Sequence, residues 1–191
     1  MKHSDRREHL VDTAIDLFGR NGFHATGIDT ILDEARVSKR TLYRHFRTKE
    51  ELILAALKKY DGIFRNGFMR QVENRAGAPR DRLLAVYDVA ASWFEGDNFF
   101  GCMFINAIGE YSETDTPIRQ ACCEFKSLMR GYIEDQCSAL GVEDPAGLAA
   151  ELALLLEGAI VTAQVSRQGR VAAETAKTAA RALIDRAVAP N

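Results

Sequence analysis

The chain has 191 residues, 47% of them hydrophobic, with 25 Lys and Arg against 27 Asp and Glu. This is the composition of a globular protein with enough apolar side chains for a core. The first ten residues carry charges but no apolar stretch typical of an export signal, and Glu151 and Glu157 interrupt the apolar segment 148–165. We therefore expect a cytoplasmic protein that does not enter the membrane.

The four cysteines (Cys102, Cys122, Cys123 and Cys137) show no metal-ligand spacing, and none neighbours a histidine in sequence. Without an export signal they are expected to be reduced thiols. The adjacent pair is more typical of small packing residues than of a redox switch. We predict neither a metal site nor a cofactor.

Apolar residues recur at helical spacing along the chain, and no stretch shows convincing strand alternation. The first helix is predicted to start at Asp5 and to stop at Gly22, because glycine tolerates the left-handed conformation that follows a helix. Thr26 and Asp29 have the spacing of a helix cap and its third residue, so they open a short second helix that ends near Ala35.

Capping residues also mark the third and fourth helices. Ser38 caps the third, which ends near His45, and Thr48 with Glu51 forms a capping box that starts a fourth helix reaching about residue 70. After a turn-rich break at 74–81, glycines and prolines separate five further helices, predicted at about 80–95, 100–110, 117–140, 146–167 and 171–188. The predicted fold class is all-α, with about nine helices.

One segment, residues 36–49 (RVSKRTLYRHFRTK), holds six Lys or Arg and no acidic residue. It includes the third predicted helix. The second helix, a turn of two or three residues and this third helix have the dimensions of a DNA-binding helix-turn-helix. With Val37, Leu42 and Phe46 facing inward, the basic side chains occupy the opposite, open face.

A run of charge is usually only a solvated surface. Lys39 and Arg40, however, lie in the first turn of their helix, where the helix dipole disfavours cations by ~0.3–1 kcal/mol each. A helix whose N-terminus meets a phosphate tolerates them, because the free N–H groups and both cations then share one anion. The pattern therefore favours a surface that binds a polyanion.

Residues 10–57 resemble the N-terminal domain of TetR-type transcriptional regulators. The matching elements are LF…GF…T, VSKRTLYRHF and TKEEL, which are highly specific when taken together. The resemblance implies that a recognition helix, residues 38–45, enters the major groove of double-stranded DNA. The residues it implies at phosphates are Thr26, Thr41, Tyr43, His45 and Lys49. The better candidates for reading bases are Lys39, Arg40 and Arg44, since Arg and Lys pair well with guanine.

Two positions depart from this family pattern. The family commonly has glycine in the turn where this chain has Arg36, which should strain the turn by ~1 kcal/mol if its φ is positive. Arg36 can also supply an extra phosphate contact. Arg40 stands where the family often has a small residue, so we expect altered base reading and carry over no operator sequence.

The charge balance differs between the two parts of the chain. Residues 1–50 hold ten basic and eight acidic side chains, and the remainder holds fifteen and nineteen. We predict a helix-turn-helix DNA-binding domain at 1–47 and a helical effector-binding and dimerisation domain at 48–191. The helix at 48–70 connects the two.

Aromatic residues concentrate in the segment 93–111 (WFEGDNFFGCMFINAIGEY). Aromatics at helical spacing are usually core packing, yet a mostly apolar cavity with a few polar anchors is also the general form of a small-molecule site. The stretch GCMFINAIGEY resembles one branch of the TetR effector domains. We predict an unidentified small effector, apolar or aromatic, lined by Trp93, Phe94, Phe104 and Asn106.

No group of residues indicates an enzyme. Glu110, Glu113 and Asp115 have no nucleophile or cation beside them in sequence, and a helix-end loop explains them better than acid–base chemistry. His45 likewise has no second metal ligand nearby, and its place in the motif fits a DNA-facing role.

The segment 148–165 is apolar on two arcs of a helical wheel, one through Leu152 and the other through Leu154, Val161 and Val165. A helix that is apolar on two faces needs two partners, and a second subunit can supply one of them. The alternative is the central helix of a monomeric bundle. We predict a homodimer, with the contact assigned to Leu152, Leu155, Ala159, Ile160 and Ala163.

Together these features predict a ligand-responsive DNA-binding regulator, most simply a repressor that its effector releases from a near-palindromic operator. The alternative is a helical ligand-binding or interaction protein whose helix-turn-helix is vestigial.

Overall fold

The computed structural model describes residues 3–114 and 116–189. Asp115, one of the three carboxylates considered above, lies outside them. Across the described residues the regular structure consists of nine helices without a strand, which confirms the predicted fold class. In chain order the helices are α1 (His3–Asn21), α2 (Ile28–Ala35), α3 (Lys39–His45), α4 (Lys49–Arg75), α5 (Pro79–Phe94), α6 (Met103–Glu110), α7 (Pro117–Leu140), α8 (Pro145–Ser166) and α9 (Gly169–Val188).

Two of the predicted helix starts are formed by side-chain caps. The Ser38 hydroxyl accepts a hydrogen bond from the backbone N–H of Thr41 at 3.2 Å and starts α3. The Thr48 hydroxyl accepts one from the N–H of Glu51 at 3.2 Å, and the Glu51 carboxylate accepts one from the N–H of Arg47 at 2.7 Å, at the start of α4. Caps of this kind contribute about 0.5–2 kcal/mol each.

The start of α2 corrects the prediction. Gly27 rather than Thr26 precedes the helix, and no side chain caps it. The Thr26 side chain is buried, and its hydroxyl donates to the carbonyl oxygens of Gly22 at 2.7 Å and Leu17 at 3.3 Å. Thr26 therefore fixes the end of α1, where Gly22 has the left-handed conformation predicted for it, with a φ of 84°.

Two further boundaries differ from the prediction. α4 continues to Arg75, and the break before α5 is confined to the short stretch that contains Gly77 and precedes Pro79. α6 begins at Met103 rather than at residue 100, because Gly101 has a φ of 85°, which an α-helix cannot contain.

The chain divides into two compact units that interleave along the sequence. Unit 1 is Met1–Ile63 with Cys102–Phe125, and unit 2 is Phe64–Gly101 with Lys126–Asn191. The predicted boundary at 47/48 falls inside unit 1, since the first half of α4 belongs to the same compact unit as α1 to α3. α4 and α7 each begin in unit 1 and end in unit 2.

The core of unit 1 is built from the apolar faces of α1 to α4 and α6. Phe18 of α1 stacks on Phe23 with ring centroids 5.0 Å apart. Phe104 of α6 is 1% exposed and stacks face to face on Phe125 at 3.8 Å, with the Tyr60 ring 6.0 Å away. Burying a phenylalanine side chain contributes about 1.5–3 kcal/mol, so these rings hold the unit together.

Helices α5, α8 and α9 pack together in unit 2. The buried Tyr87 of α5 donates its hydroxyl to the carbonyl oxygen of Leu152 in α8 at 2.8 Å. The buried face of α9 consists largely of alanine, which lets the neighbouring helices approach closely. Lys177 of α9 forms an ion pair with Asp88 of α5 at 2.7 Å.

α8 is the one described helix that is long and apolar enough to cross a membrane, judged by length and composition alone. Seven of its residues, including Leu148, Leu156 and Ile160, are buried in unit 2. The apolar character of the helix is therefore explained in part by packing against the rest of unit 2.

Candidate functional site

The basic run lies where the sequence predicts, on α3 and the turn before it. Arg36, Lys39, Arg40, Tyr43 and Arg44 are exposed, and we call these five residues the basic face. The side chains predicted to face inward are Leu42 and Phe46, both buried, and Val37, which is half-buried. The face therefore stands on an apolar base with its guanidinium and ammonium groups in solvent.

The turn between α2 and α3 is left-handed at Arg36, with a φ of 51° and a ψ of 45°. The N–H of Arg36 donates to the carbonyl of Asp33 at 3.3 Å, and the N–H of Val37 donates to that of Leu32 at 3.1 Å. These bonds close α2 as a glycine would. The condition set above for strain at Arg36 is met, at a cost of about 1 kcal/mol.

The charges of the basic face are held weakly. Lys39 lies 3.8 Å from the Asp29 carboxylate, and both side chains are more than half exposed. An exposed pair of this kind contributes about 0–1 kcal/mol, so a phosphate or a base edge can replace Asp29 at little cost. Tyr43 is 46% exposed, although a tyrosine ring gains free energy by burial.

The remaining predicted DNA contacts lie around this face, with one exception. Thr41 is half-buried with its hydroxyl 2.9 Å from that of Ser38, and His45 and Lys49 are also half-buried. The Lys49 ammonium donates to the carbonyl oxygen of His24 at 3.4 Å. Thr26 is the exception, because its side chain is buried and its hydroxyl is already bonded within unit 1.

Helix α1 supports the helix-turn-helix through contacts that the sequence does not predict. The His9 ring lies 3.1 Å from the carbonyl oxygen of Ala35 at the end of α2. The Arg7 guanidinium lies over the Phe46 ring, 5.2 Å from its centroid. Both contacts join positions far apart in sequence, and helical periodicity carries no signal for them.

The turn after α1 is held by Glu110, at the end of α6. Its carboxylate accepts hydrogen bonds from the backbone N–H groups of Phe23 at 2.8 Å and His24 at 2.5 Å. The His24 Nδ1 lies 3.4 Å from the same carboxylate, whose side chain is 27% exposed. Hydrogen bonds to a charged group are the stronger kind, so Glu110 fixes the turn that leads into α2.

A cleft of about 520 Å³ opens beside this carboxylate, within unit 1. We call it the α6–α7 cleft, since the end of α6 and the segment leading into α7 form one of its walls. Its lining residues are His24, Thr48, Glu50, Glu51, Leu54, Glu110, Tyr111, Ser112, Glu113, Thr116, Pro117 and Ile118. None of the predicted effector residues is among them.

The four predicted effector residues fall in different compact units. Trp93 and Phe94 belong to unit 2, where the Trp93 ring lies 4.8 Å from that of Phe64. Phe104 and Asn106 belong to unit 1, and Phe104 is sealed by the ring stacking described above. The Phe104 side chain is therefore core packing, as aromatics at helical spacing usually are.

Unit 2 also contains two buried polar atoms that lack a hydrogen-bond partner among the described residues. They are the hydroxyl of Tyr132 and the amide oxygen of Gln136, one turn apart on α7. Both residues are at least nine-tenths buried, and burial raises the pKa of Tyr132. An unsatisfied buried polar atom costs about 1–3 kcal/mol.

The predicted dimer contact needs a correction at Leu152, Ile160 and Ala163, whereas Leu155 and Ala159 line the groove between α8 and α9. Leu152, Ala159, Ile160 and Ala163 are all buried within unit 2, and Leu155 is half-buried. The second arc of α8 is the exposed one, with Leu154 at 73%, Val161 at 45% and Val165 at 80%. The first arc is the core side because α5 and α9 cover it.

A groove of about 380 Å³ runs beside this exposed arc, between α8 and α9. From α8 it is lined by Leu154, Gly158, Thr162 and two of the predicted dimer residues, Leu155 and Ala159, and from α9 by Val171 and Thr175. Val171 is 57% exposed. The groove and the second arc of α8 form an apolar surface that the rest of unit 2 leaves uncovered.

Among the described residues, no group of three or more His, Cys, Asp or Glu is placed to hold a metal ion. All four cysteines are free thiols, and Cys123 is the one exposed to solvent. Burial raises the pKa of Cys137 to about 11, with a smaller contribution from Glu134. The buried Cys137 thiol is thus in the protonated, unreactive form at neutral pH.

Comparison with known proteins places this geometry in a family. Residues 10–56 match the family model for bacterial regulatory proteins of the tetR family, and residues 79–179 match the tetracyclin repressor-like C-terminal domain. A TetR-family transcriptional regulator from Streptomyces coelicolor has the same fold, with a TM-score of 0.86 and 28% identity over 97% of both chains. The reduced form of NemR from Escherichia coli follows with a TM-score of 0.84 and 25% identity, over 93% of this chain and 96% of that one.

Sequence relatives have corresponding names. The HTH-type transcriptional repressor NemR of Escherichia coli is 29% identical over 123 residues, which are 63% of this chain and 62% of that protein. The HTH-type transcriptional activator FasR of Mycolicibacterium smegmatis is 36% identical over 98 residues, or 51% of this chain and 44% of that protein. The chain thus spans less than two thirds of the length of these two relatives. The two family models, together with the exposed basic face on an intact helix-turn-helix, show that the chain belongs to the TetR family of DNA-binding bacterial transcriptional regulators.

Proposed function

We propose that this protein is a ligand-responsive repressor. A homodimer binds a near-palindromic operator through two basic faces, and a small apolar or aromatic effector releases it. The observation that carries the proposal is the basic face itself, since four Arg and Lys side chains are exposed on a seven-residue helix and its preceding turn, above a buried apolar base. A vestigial helix-turn-helix, which does not bind DNA, would not require these exposed charges.

We assign the proposed base and phosphate contacts on this surface according to how exposed each side chain is. Lys39, Arg40 and Arg44 are exposed and can form paired hydrogen bonds with guanine in the major groove, Lys39 by giving up its weak contact with Asp29. Arg36, Thr41, Tyr43, His45 and Lys49 are proposed phosphate contacts. The Thr26 side chain is left out because its hydroxyl is buried.

Selection from a randomised duplex library tests the DNA-binding part of this proposal. The wild-type chain is expected to enrich a near-palindrome whose half-sites are about one helical turn apart. Arg40→Ala should relax selection at one base pair of each half-site, at a cost of ~1–3 kcal/mol per half-site. Glu143→Ala, an exposed change in unit 2, should select the same sequence as wild type. If the wild-type chain enriches no sequence, the proposed sequence-specific DNA binding is contradicted.

The proposed dimer contact is the exposed arc of α8 with the α8–α9 groove. Leu154, Val161 and Val165 expose apolar area that a second copy of the same surface can bury around a two-fold axis. Gly158 and the alanines of α9 allow close approach of the paired helices. Two-fold symmetry in the protein then accounts for the near-palindrome expected in the operator.

The effector is proposed to bind in unit 2. Trp93 and Phe94 supply neighbouring aromatic rings, with centroids 5.4 Å apart, against which an apolar or aromatic ligand can pack. Phe104 and Asn106, which belong to unit 1, are no longer part of this proposal. A thermal-shift screen against metabolites and drugs, repeated with Trp93→Leu, identifies ligands that need the indole ring.

Repression is proposed over activation because NemR, which is similar in sequence and over 93% of this chain in fold, is named a repressor. FasR is named an activator and is matched over half of the chain. A reporter gene placed behind the selected operator distinguishes the two. Repression predicts that expression falls when the protein is supplied and recovers when the effector is added.

A further inference from the structure

The α6–α7 cleft belongs neither to the basic face nor to the proposed effector site. Its volume of about 520 Å³ is within the usual range of small-molecule sites, ~300–1,000 Å³. Three segments of unit 1 form its walls: the turn at His24, the first turns of α4, and the residues from Glu110 to Ile118. It is a formed cavity rather than a flat surface, and what it accepts follows from its lining.

The carboxylates that line the cleft outnumber its cations, and the two cations at its edge, Lys49 and Arg119, are bonded to backbone carbonyls of His24, Ser112 and Glu113. Four carboxylates line it, no Lys or Arg does, and His24 is the one other titratable side chain apart from Tyr111. Backbone N–H groups already engage Glu51 and Glu110. Within the described part of the chain, no hydrogen bond or ion pair involves the carboxylates of Glu50 and Glu113, which leaves their negative charge for a ligand.

The floor of the cleft is apolar and partly aromatic. Leu54, Pro117 and Ile118 line it together with the half-buried Tyr111. The Tyr111 ring is held edge-on by Phe23 at 6.3 Å and lies 4.7 Å from the His24 ring. Burial raises the pKa of Tyr111, and the charges of Glu50 and Glu110 raise it further, so these carboxylates act on the same ring.

We propose that the α6–α7 cleft binds an organic cation with a flat apolar body, such as an arylamidine or an arylalkylamine. The charge of the ligand is met by Glu50 and Glu113. Its ring lies on the apolar floor formed by Leu54, Pro117 and Ile118, beside Tyr111. An anion of the same shape is excluded by the four carboxylates.

Occupation of the cleft also acts on the DNA-binding surface, and this step rests on the proposed function. Glu110 lines the cleft and accepts the N–H groups of Phe23 and His24, which fix the turn before α2. A cation held by Glu50 and Glu113 also attracts the nearby Glu110 carboxylate, which weakens the hydrogen bonds that Glu110 accepts from these N–H groups. The turn is therefore held less tightly in the liganded protein, and operator affinity falls by about fivefold or more.

Calorimetric titration of the full chain without DNA tests the site. The probes are benzamidine and its neutral isostere benzamide, which differ in charge but hardly in shape. Wild type is expected to bind benzamidine at least about tenfold more tightly, which corresponds to one well-placed charge contact. The double variant Glu50→Gln, Glu113→Gln should lose that preference, while Glu143→Gln, an exposed change in unit 2, should keep it.

Two results would overturn the site: equal binding of the two probes by wild type, or a preference for benzamidine that survives in the double variant. Both Glu50 and Glu113 are exposed and glutamine has the same shape, so the variant is expected to fold, and an unchanged melting temperature checks this.

A second titration tests the coupling, with the selected operator and benzamidine at saturation against sodium chloride of equal ionic strength. Operator affinity should fall at least about fivefold in wild type and in Glu143→Gln, but not in the double variant. Unchanged affinity in wild type would overturn the coupling and leave the site. A chain that binds no operator even without benzamidine would overturn the proposed function instead, while calorimetry still decides the site.

Discussion

At the scale of single residues, Arg36 combines a backbone cost with a charge. Its left-handed φ of 51° is one that glycine adopts freely, yet its guanidinium lies at the edge of the basic face. Arg167, which ends α8 with a φ of 57°, carries the same backbone cost in unit 2. Because Arg167 is not part of the basic face, substitutions at the two positions distinguish the effect of backbone strain on stability from the effect of charge on DNA binding.

Arg36→Gly is expected to raise the free energy of unfolding by about 0.5–1 kcal/mol. Relief of left-handed strain, ~1–2 kcal/mol, exceeds the entropy that glycine adds to the unfolded chain. The same change should weaken binding to all DNA sequences alike, because a phosphate contact is lost. Thermal unfolding and fluorescence anisotropy measure the two effects.

Arg167→Gly is the matched control and should give the same stabilisation with no change in DNA affinity. A third variant, Arg36→Ala, removes the charge but keeps the β-carbon, so it should weaken DNA binding without stabilising the fold. If Arg36→Gly stabilises and leaves DNA affinity intact, Arg36 makes no phosphate contact.

The cysteines give a second prediction at this scale. Iodoacetamide at pH 8 should modify Cys123 quickly in the native protein, since it alone is exposed. The other three thiols are buried, and the pKa of Cys137 is raised to about 11 by that burial, so little reactive thiolate forms. Mass spectrometry should show one rapid adduct in buffer and four in urea. A second rapid adduct in buffer would contradict the burial described here.

Which residue roles can be predicted from sequence depends on how far apart the partners lie. The caps at Ser38 and Thr48 bond to groups three residues away, and both are predicted correctly. Glu110 bonds to backbone groups 87 and 86 residues away, and no local pattern indicates it. Thr26 has the sequence spacing of a helix cap, but its hydroxyl donates back to the carbonyl oxygen of Gly22 instead of capping α2.

At the scale of elements, helical periodicity locates the helices but does not identify which face is covered. The wheel of α8 shows two apolar arcs, and burial depends on where α5 and α9 pack against it. The sequence assigns the dimer contact to the arc through Leu152, which is 1% exposed. Which arc of α8 is buried depends on the helices that the tertiary fold packs against it. The sequence of α8 alone does not identify those helices.

The exposed arc of α8 supplies the prediction at this scale. Leu154→Glu should convert the dimer into a folded monomer, because a charge at the centre of the contact is buried without a partner in the dimer. The monomer itself should change by less than about 0.5 kcal/mol, since Leu154 is 73% exposed. Sedimentation at micromolar concentration measures the assembly, and circular dichroism measures the fold.

Leu128→Glu provides the control, as the same change at an exposed leucine of α7 that does not line the groove. It should leave the assembly intact. If Leu154→Glu sediments like wild type, the two subunits do not meet at this arc, and a wild-type monomer would refute the dimer altogether.

At the scale of the whole molecule, DNA binding is set by charge placement rather than by net charge. The chain is acidic overall, at −2, yet the basic face of unit 1 carries four exposed cations and no carboxylate. Binding to DNA then depends on the number of phosphates that the two faces of a dimer neutralise. The release of counterions makes that number measurable from the salt dependence.

If the dimer neutralises about six phosphates, the logarithm of its affinity should fall with the logarithm of salt concentration at a slope near −5. Raising salt from about 50 to 200 mM then weakens binding roughly a thousandfold. Lys49→Gln removes one phosphate contact per subunit and should flatten the slope to about −3.5 for every sequence tested. Lys58→Gln removes an equal charge from an exposed position two to three turns further along α4, and it should leave the slope unchanged. Anisotropy titrations at four salt concentrations measure both slopes. If the two variants flatten the slope equally, the protein binds DNA through its overall charge and not through contacts at the basic face.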